Sequence, residues 1–156
     1  MLNNLAPIPE LYVSYESAQK LKVEAADLVS WDLTPRQICD LELLMNGGFN
    51  PLKGFLSEED YNGVVENMRT ADGTLWPIPI TLDVSEDFAA NLTEGQDIAL
   101  RDQEGVILAT MTVTDNWVPN KSREAEKVFG ADDDAHPAVN YLHNKAGKIY
   151  LGGPVT

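Results

Sequence analysis

The chain has a single cysteine and few basic residues, and both shortages restrict its function. Cys39 has no partner for an intramolecular disulfide, which agrees with a reducing compartment. Only 11 Lys and Arg residues stand against 25 Asp and Glu residues, so the formal net charge is −14. Nucleic-acid affinity depends on Lys and Arg that displace counterions from phosphates, so we expect no nucleic-acid binding. Anionic membranes are disfavoured for the same reason.

Long apolar segments are also missing. No stretch approaches the ~20 apolar residues of a membrane span. Residues 1–7 have neither the basic region nor the apolar core of a signal peptide. We therefore expect a cytoplasmic protein with no membrane association. With 156 residues, of which 44% are hydrophobic, the chain is long enough to bury one substantial core.

The sequence lacks every motif that would indicate a catalytic or ligand-binding site. Neither Gly-x-x-x-x-Gly-Lys-Ser/Thr nor Gly-x-Gly-x-x-Gly occurs, so no phosphate-binding loop is predicted. The two histidines, His136 and His143, lie far from Cys39 in sequence, and residues 132–134 lack the ligand pattern of a calcium loop. We predict no catalytic, cofactor-binding or metal-binding residue in this chain, and we interpret the three aspartates as a solvated acidic loop.

Two side chains that often take part in chemistry have simpler interpretations here. Cys39 lies in a predicted helix, where we interpret it as a small buried hydrophobe rather than a reactive thiol. His136 precedes Pro137, where its ring can cap the following helix. We prefer that role, or an interface hydrogen bond, to work as a general base.

What the sequence does contain is a clear order of helices and strands. Thr34 fits a helix N-cap, with Pro35 at the first helical position and Gln37 at the third, and residues 47–48 end that helix. The other elements follow from periodicity and turn signals. Helices are predicted at 14–27, from 57, at 85–88, at 122–129 and from 137, and strands at 29–33, 74–83, 97–100, 106–114 and 148–151. No regular βαβ alternation occurs, which favours a small β-barrel with flanking helices over a doubly wound sheet.

The loop over residues 47–55 combines glycines with aromatic residues, and it has two interpretations. Gly47 and Gly48 are explained by the helix end, and Phe49 and Phe55 can pack beneath the loop. Alternatively, an aromatic loop with few rotatable bonds is typical of a surface that docks against another domain.

At this loop the sequence resembles a known family, the ATP sulfurylases (sulfate adenylyltransferases). The likeness covers roughly residues 28–155, and it is carried by five stretches: 33–55 (LTPRQICDLELLMNGGFNPLKGF), 71–83 (ADGTLWPIPITLD), 120–129, 136–139 (HPAV) and 150–154 (YLGGP). One departure is Ala135, where the family commonly has Glu before the His-Pro pair.

The resemblance implies a fold and a division of labour. The family converts ATP and sulfate into adenosine 5′-phosphosulfate and pyrophosphate, a step of sulfate assimilation and sulfur metabolism. Its amino-terminal domain is a PUA-like β pseudo-barrel, and its chemistry belongs to a following α/β domain that carries Gln-Thr-Arg-Asn-Pro. That motif does not occur here, so no catalytic residue is carried over. We expect a mainly β fold with flanking helices (α+β content), with an arm and helix over 1–27 and a PUA-like domain over 28–156.

The expected function is accordingly that of a non-catalytic amino-terminal domain. It would support the catalytic domain, which alone would hold MgATP, and help to build a homo-oligomer. The chain would be part of a nucleotidyltransferase but inactive alone. The alternative is a free-standing PUA-like module that binds a partner protein or regulates a catalytic subunit. For the surface that contacts a partner we predict Gly47, Gly48, Phe49, Pro51, Leu52, Gly54 and Phe55, together with Asp72, Gly73 and Trp76.

Overall fold

The computed structural model describes residues 7–156, which form two compact units. The first unit comprises residues up to 54, then 97–112 and 154–156. The second comprises residues 55–96 and 113–153. The chain therefore passes from one unit to the other at four points. The predicted amino-terminal arm falls partly on residues 1–6, outside the described residues, and residues 7–14 contain neither helix nor strand.

The elements follow the predicted order closely. The helices are α1 (Tyr15–Ala25), α2 (Pro35–Met45), α3 (Glu58–Asn67), α4 (Glu86–Ala89), α5 (Lys121–Glu124) and α6 (Pro137–Asn144), and a π-helix (Ala125–Phe129) follows α5 directly. The strands are β1 (Ser30–Asp32), β2 (Gly54–Phe55), β3 (Leu82–Val84), β4 (Asp97–Arg101), β5 (Ile107–Thr112), β6 (Asp115–Trp117) and β7 (Ile149–Pro154). This mixture of helices and strands confirms the α+β content.

The first unit is built on a three-stranded sheet in the order β1-β4-β5. β1 runs parallel to β4, and β4 runs antiparallel to β5. Residues 155 and 156 extend this sheet, since Thr156 and Thr110 exchange two backbone hydrogen bonds of 2.9 Å. The sheet is thus assembled from three segments that are distant in sequence.

The predicted capping box at the start of α2 is confirmed. The Thr34 hydroxyl accepts from the Gln37 amide, and the Gln37 side-chain oxygen accepts from the Thr34 amide at 3.0 Å. The same oxygen also accepts from Trp31 Nε1 at 3.2 Å, which ties β1 to the helix. Because Gln37 is almost fully buried, these bonds satisfy a side chain that would otherwise be costly to bury.

The second unit has β7 at the centre of its sheet. β3 and β6 both pair antiparallel with β7, and both place a residue opposite Leu151, so they occupy its two edges. β2 pairs with β7 as well. Within the described residues the strands therefore form two open sheets, one for each unit, rather than a closed barrel. No helix in residues 7–156 is long and apolar enough to cross a membrane.

Two predicted elements differ from the structure. The predicted strand at 74–83 is wrong over most of its length, because only its last two residues belong to β3 and Leu75 makes a single isolated bridge to Arg69. Pro77 and Pro79 lack amide donors, so they interrupt the ladder that this segment would need. The predicted helix at 122–129 is present but changes from α5 to the π-helix before it ends at Gly130, whose φ is +78°.

A buried carboxylate lies at the centre of the second unit. Glu124 is only 6% exposed and accepts hydrogen bonds from the hydroxyls of Tyr61 (2.7 Å) and Tyr150 (3.1 Å). The rings of Tyr61, Tyr150 and Trp117 contact one another, with centroids 5.6 to 5.8 Å apart. Burial, reinforced by the Glu124 carboxylate, raises the pKa of both phenols well above their usual value.

Removal of one hydroxyl from this cluster tests its contribution to stability. We expect Tyr61→Phe to lower the free energy of unfolding by about 1–3 kcal/mol, because Glu124 stays buried and loses a donor. Urea denaturation measures the change. Tyr15→Phe is the matched control, since Tyr15 is 79% exposed and its substitution should change the free energy by less than about 0.5 kcal/mol. Equal effects of the two substitutions would contradict the interpretation.

The raised phenol pKa values predict how the protein responds to alkali. A phenol whose pKa is higher in the folded state contributes stability that is complete below about pH 10 and is lost as the pH rises further. The chain has five tyrosines. In a titration followed at the tyrosinate absorption band, we expect the folded protein to lack the signal of two of them until it unfolds. Full ionisation while the circular dichroism spectrum remains native would contradict this.

Candidate interaction surfaces

The loop that follows α2 belongs to the first unit. Its first residue is restricted both by its backbone angle and by neighbouring atoms. Gly47 has φ +80°, a conformation that favours glycine. A Cβ added there would lie 2.6 Å from the carbonyl oxygen of Pro9 and 2.7 Å from the Ile8 side chain. Gly47 therefore ends the helix, as predicted, and also gives room to the amino-terminal segment that crosses it.

The rest of this loop is a compact turn with an exposed tip. The Phe49 amide bonds to the Leu43 carbonyl at 2.9 Å, and the Leu52 amide bonds to the Phe49 carbonyl at 2.8 Å. Gly48 and Pro51 are exposed, whereas Phe49 and Leu52 are half-buried and Gly54 is buried. In the first unit, therefore, only the exposed tip of the predicted surface is available to a partner.

The other predicted residues belong to the second unit. Phe55 is buried, Trp76 is half-buried, and Asp72 and Gly73 are exposed at the tip of a turn. Because the ten predicted residues divide between the two units, a single continuous surface formed by all of them stays a prediction.

The turn at residues 70–74 is stiffened by its own side chains. Asp72 accepts from the Thr70 hydroxyl at 2.6 Å and from the Thr74 amide at 3.0 Å. These two bonds lower the pKa of Asp72 to about 2, so the carboxylate is charged at any physiological pH. Gly73 has φ +88°. The turn is therefore held in one conformation without any contact to another domain.

Exposed apolar side chains that were not predicted from the sequence flank this turn. Met68, Leu75 and Ile78 are 55%, 62% and 40% exposed. Exposed apolar side chains on both sides of a stiff turn make this segment a candidate interaction surface. The signal in the sequence was the pair of prolines at 77 and 79, whose missing amide donors exclude this segment from the interior of a sheet.

An apolar groove in the first unit was also missed, because its walls come from segments far apart in sequence. Tyr12, Leu21, Met45 and Leu108 are among the side chains that line it, and its volume is about 130 Å³. Pockets that enclose small ligands are usually roughly 300–1,000 Å³ in volume. The groove is therefore too small to hold a cofactor or a nucleotide.

The predictions for the reactive residue types have mixed outcomes. The predicted capping role of His136 is confirmed, since its Nδ1 accepts from the Ala138 amide at 3.2 Å. The predicted burial of Cys39 is wrong, because the thiol is exposed. α2 buries Gln37, Leu41 and Leu44, and Cys39 points away from that face. Across residues 7–156, no three side chains of the His, Cys, Asp or Glu type are arranged to hold a metal ion.

Comparison with known proteins gives a consistent family. The sequence profile of the PUA-like domain family matches residues 4–156. Sulfate adenylyltransferase from Saccharomyces cerevisiae is 53% identical over 132 residues, which cover 85% of this chain and 26% of the yeast protein. The enzyme from Eremothecium gossypii is 51% identical over 138 residues, which cover 88% of this chain and 27% of that protein. The chain thus spans about a quarter of the length of these relatives.

A solved structure is also similar to this chain. It is described as a hexameric APS kinase from Thiobacillus denitrificans, and it superposes with a TM-score of 0.72 at 31% identity. The match covers 95% of this chain and 24% of that structure.

The geometry of Gly47 gives a test in which two glycines are compared. Gly47→Ala and Gly105→Ala both place alanine at a positive φ, but a Cβ at Gly105 would meet no atom within 4 Å. We expect Gly105→Ala to lower the free energy of unfolding by about 1–2 kcal/mol. Gly47→Ala should lower it by about 2–5 kcal/mol, because the new Cβ also overlaps Pro9. Denaturant unfolding of both variants measures the difference, and equal losses would show that the contact with Pro9 contributes nothing.

Proposed function

This chain belongs to the PUA-like domain family, and we propose that it serves as the non-catalytic amino-terminal domain of a sulfate adenylyltransferase. The observation that carries the proposal is its identity of about 50% to sulfate adenylyltransferases along nearly the whole chain, although it spans only about a quarter of their length. A free-standing binding module is less well supported, because these relatives are about four times as long as the matched region.

The proposed activity of the whole protein is the conversion of ATP and sulfate into adenosine 5′-phosphosulfate and pyrophosphate. Charge that develops at a phosphate needs preorganised cationic or amide donors, usually with a metal ion. This chain has a net charge of −14 and no phosphate-binding loop. We therefore place MgATP, sulfate and all catalytic residues in the remaining part of the whole protein.

The role that remains for this domain is to support the catalytic part and the oligomer. Met68, Leu75 and Ile78 lie on either side of the stiff turn at residues 70–74 and are exposed to solvent. Pro51 is exposed at the tip of the 47–54 loop. Surfaces that keep their shape when free lose little entropy on binding. We propose that these two surfaces contact the catalytic part or a neighbouring subunit of a homo-oligomer in the cytoplasm.

A domain exchange tests the proposal. The chain replaces the matching 132-residue segment of the yeast enzyme, and sulfate-dependent pyrophosphate release is measured. We expect the chimera to be active and the isolated 156-residue chain to be inactive. Activity of the isolated chain would overturn the non-catalytic role. A folded but inactive chimera would instead favour a free-standing binding module.

Two substitutions in the chimera test the turn surface. Leu75→Asp places a charge among the exposed apolar side chains, and Val118→Asp places the same charge at a site outside them that is 75% exposed. We expect Leu75→Asp to reduce activity or assembly at least fivefold and Val118→Asp to leave both unchanged. Equal behaviour of the two variants would remove this surface from the proposal.

A further inference from the structure

Helix α6 in the second unit has a histidine at each end. Protonation of one would weaken its contact with the helix, and protonation of the other would strengthen its contact with a neighbouring loop. We propose that α6 responds to acidification: a proton on His136 releases its first turn, and a proton on His143 binds its last turn more tightly to the preceding acidic loop. The inference rests on the contacts of these side chains and does not depend on the proposed function.

At the start of α6, His136 acts as the N-cap. Its Nδ1 accepts from the Ala138 amide at 3.2 Å, and its ring contacts Phe129 of the π-helix with centroids 5.4 Å apart. A ring nitrogen accepts a hydrogen bond only while it carries no proton. Protonation therefore removes the cap and also places a positive charge at a helix N-terminus, where the dipole disfavours it.

At the other end of α6, the effect of a proton is reversed. His143 lies in the last turn, and its Nε2 pairs with Asp132 Oδ1. Hydrogen bonds from His143 and from Ser122 lower the pKa of Asp132, so this carboxylate keeps its charge in mild acid. An imidazolium strengthens the pair and is favoured by the C-terminal end of the helix dipole.

The loop between the π-helix and α6 is acidic, and one of its carboxylates contacts the ring of His143. Its three carboxylates contact the helix or the loop itself: Asp132 pairs with His143, Asp133 accepts from the Ala135 amide, and Asp134 accepts from Asn144. The contacts of Asp132 and Asp134 hold this loop against the C-terminal end of α6.

The cations of the neighbouring elements contact the C-terminal end of α6 or pair with a carboxylate of α3. Lys121 of α5 donates to the carbonyls of Leu142 and Ala146, at the C-terminal end of α6. Arg123 of α5 and Lys127 of the π-helix both pair with Glu66. Of the other charged side chains on the adjoining segments, Glu126, Lys145 and Lys148 are exposed, and Glu124 is buried against Tyr61 and Tyr150.

The consequence is a helix that can open at one end only. Lys121 and His143 hold the last turn of α6, where Leu142 is buried, whereas the first turn depends on the His136 cap. Histidine is the side chain that ordinarily changes charge between pH 5 and 8. Acidification within that range would therefore alter the surface around residues 133–138 while the second unit stays folded.

Amide hydrogen exchange of the 156-residue chain, followed by NMR at pH 7.5 and 5.5 and corrected for intrinsic exchange, tests the proposal. A helix cap contributes about 1 kcal/mol, so we expect protection of the Ala138 and Asn140 amides to fall roughly three- to tenfold at pH 5.5. The Lys145 amide, in the last turn, should keep its protection.

Three variants separate this mechanism from a general effect of acid. His136→Asn keeps a side-chain acceptor that does not titrate, so its protection should be independent of pH. His136→Ala should show low protection at both pH values. In His143→Gln we expect the fall at Ala138 to persist and the Lys145 amide to lose protection at pH 5.5. Unchanged protection in the unsubstituted chain, or a wild-type response in His136→Asn, would overturn the proposal.

Discussion

A buried carboxylate determines how the second unit is organised. Two tyrosine hydroxyls donate to Glu124 in the interior, where a carboxylate without hydrogen bonds would be strongly unfavourable. Tyr61 comes from α3 and Tyr150 from β7, so the requirement to satisfy one side chain fixes three elements together. The neighbouring residues of α5 then extend the arrangement, with Arg123 bonded to α3 and Lys121 to the end of α6.

The exposed loops are ordered by local contacts, which matters for a domain proposed to act by docking. Asp72 is held by Thr70 and Thr74, and the 47–54 loop is held by backbone bonds within itself and to α2. Both loops therefore have a defined shape before any partner arrives. An interface that uses them would need little reordering. Burial of the exposed apolar side chains beside the turn would then increase affinity with little loss of conformational entropy.

Local features were well predicted from the sequence, and features that depend on distant residues were not. The capping box at Thr34, the start of α3 at Ser57 and the cap by His136 each depend on residues within three positions of one another. The buried position of Glu124 could not be predicted, because its partners lie 63 and 26 residues away. The groove beside Tyr12 has the same origin. The exposure of Cys39 could have been predicted, since the apolar face of α2 already excluded it.

The division of the chain between two units has a consequence for the order in which the protein can fold during synthesis. Residues 154–156 belong to the first unit, where Thr156 pairs with Thr110 and Val155 forms a bridge to Met111. These residues leave the ribosome after the last residue of the second unit. The first unit therefore completes its sheet only after every residue of the second unit has been made, although it contains the earliest helices. A nascent chain that stops short of these residues exposes an open edge of β5, which is the kind of edge that pairs with other chains.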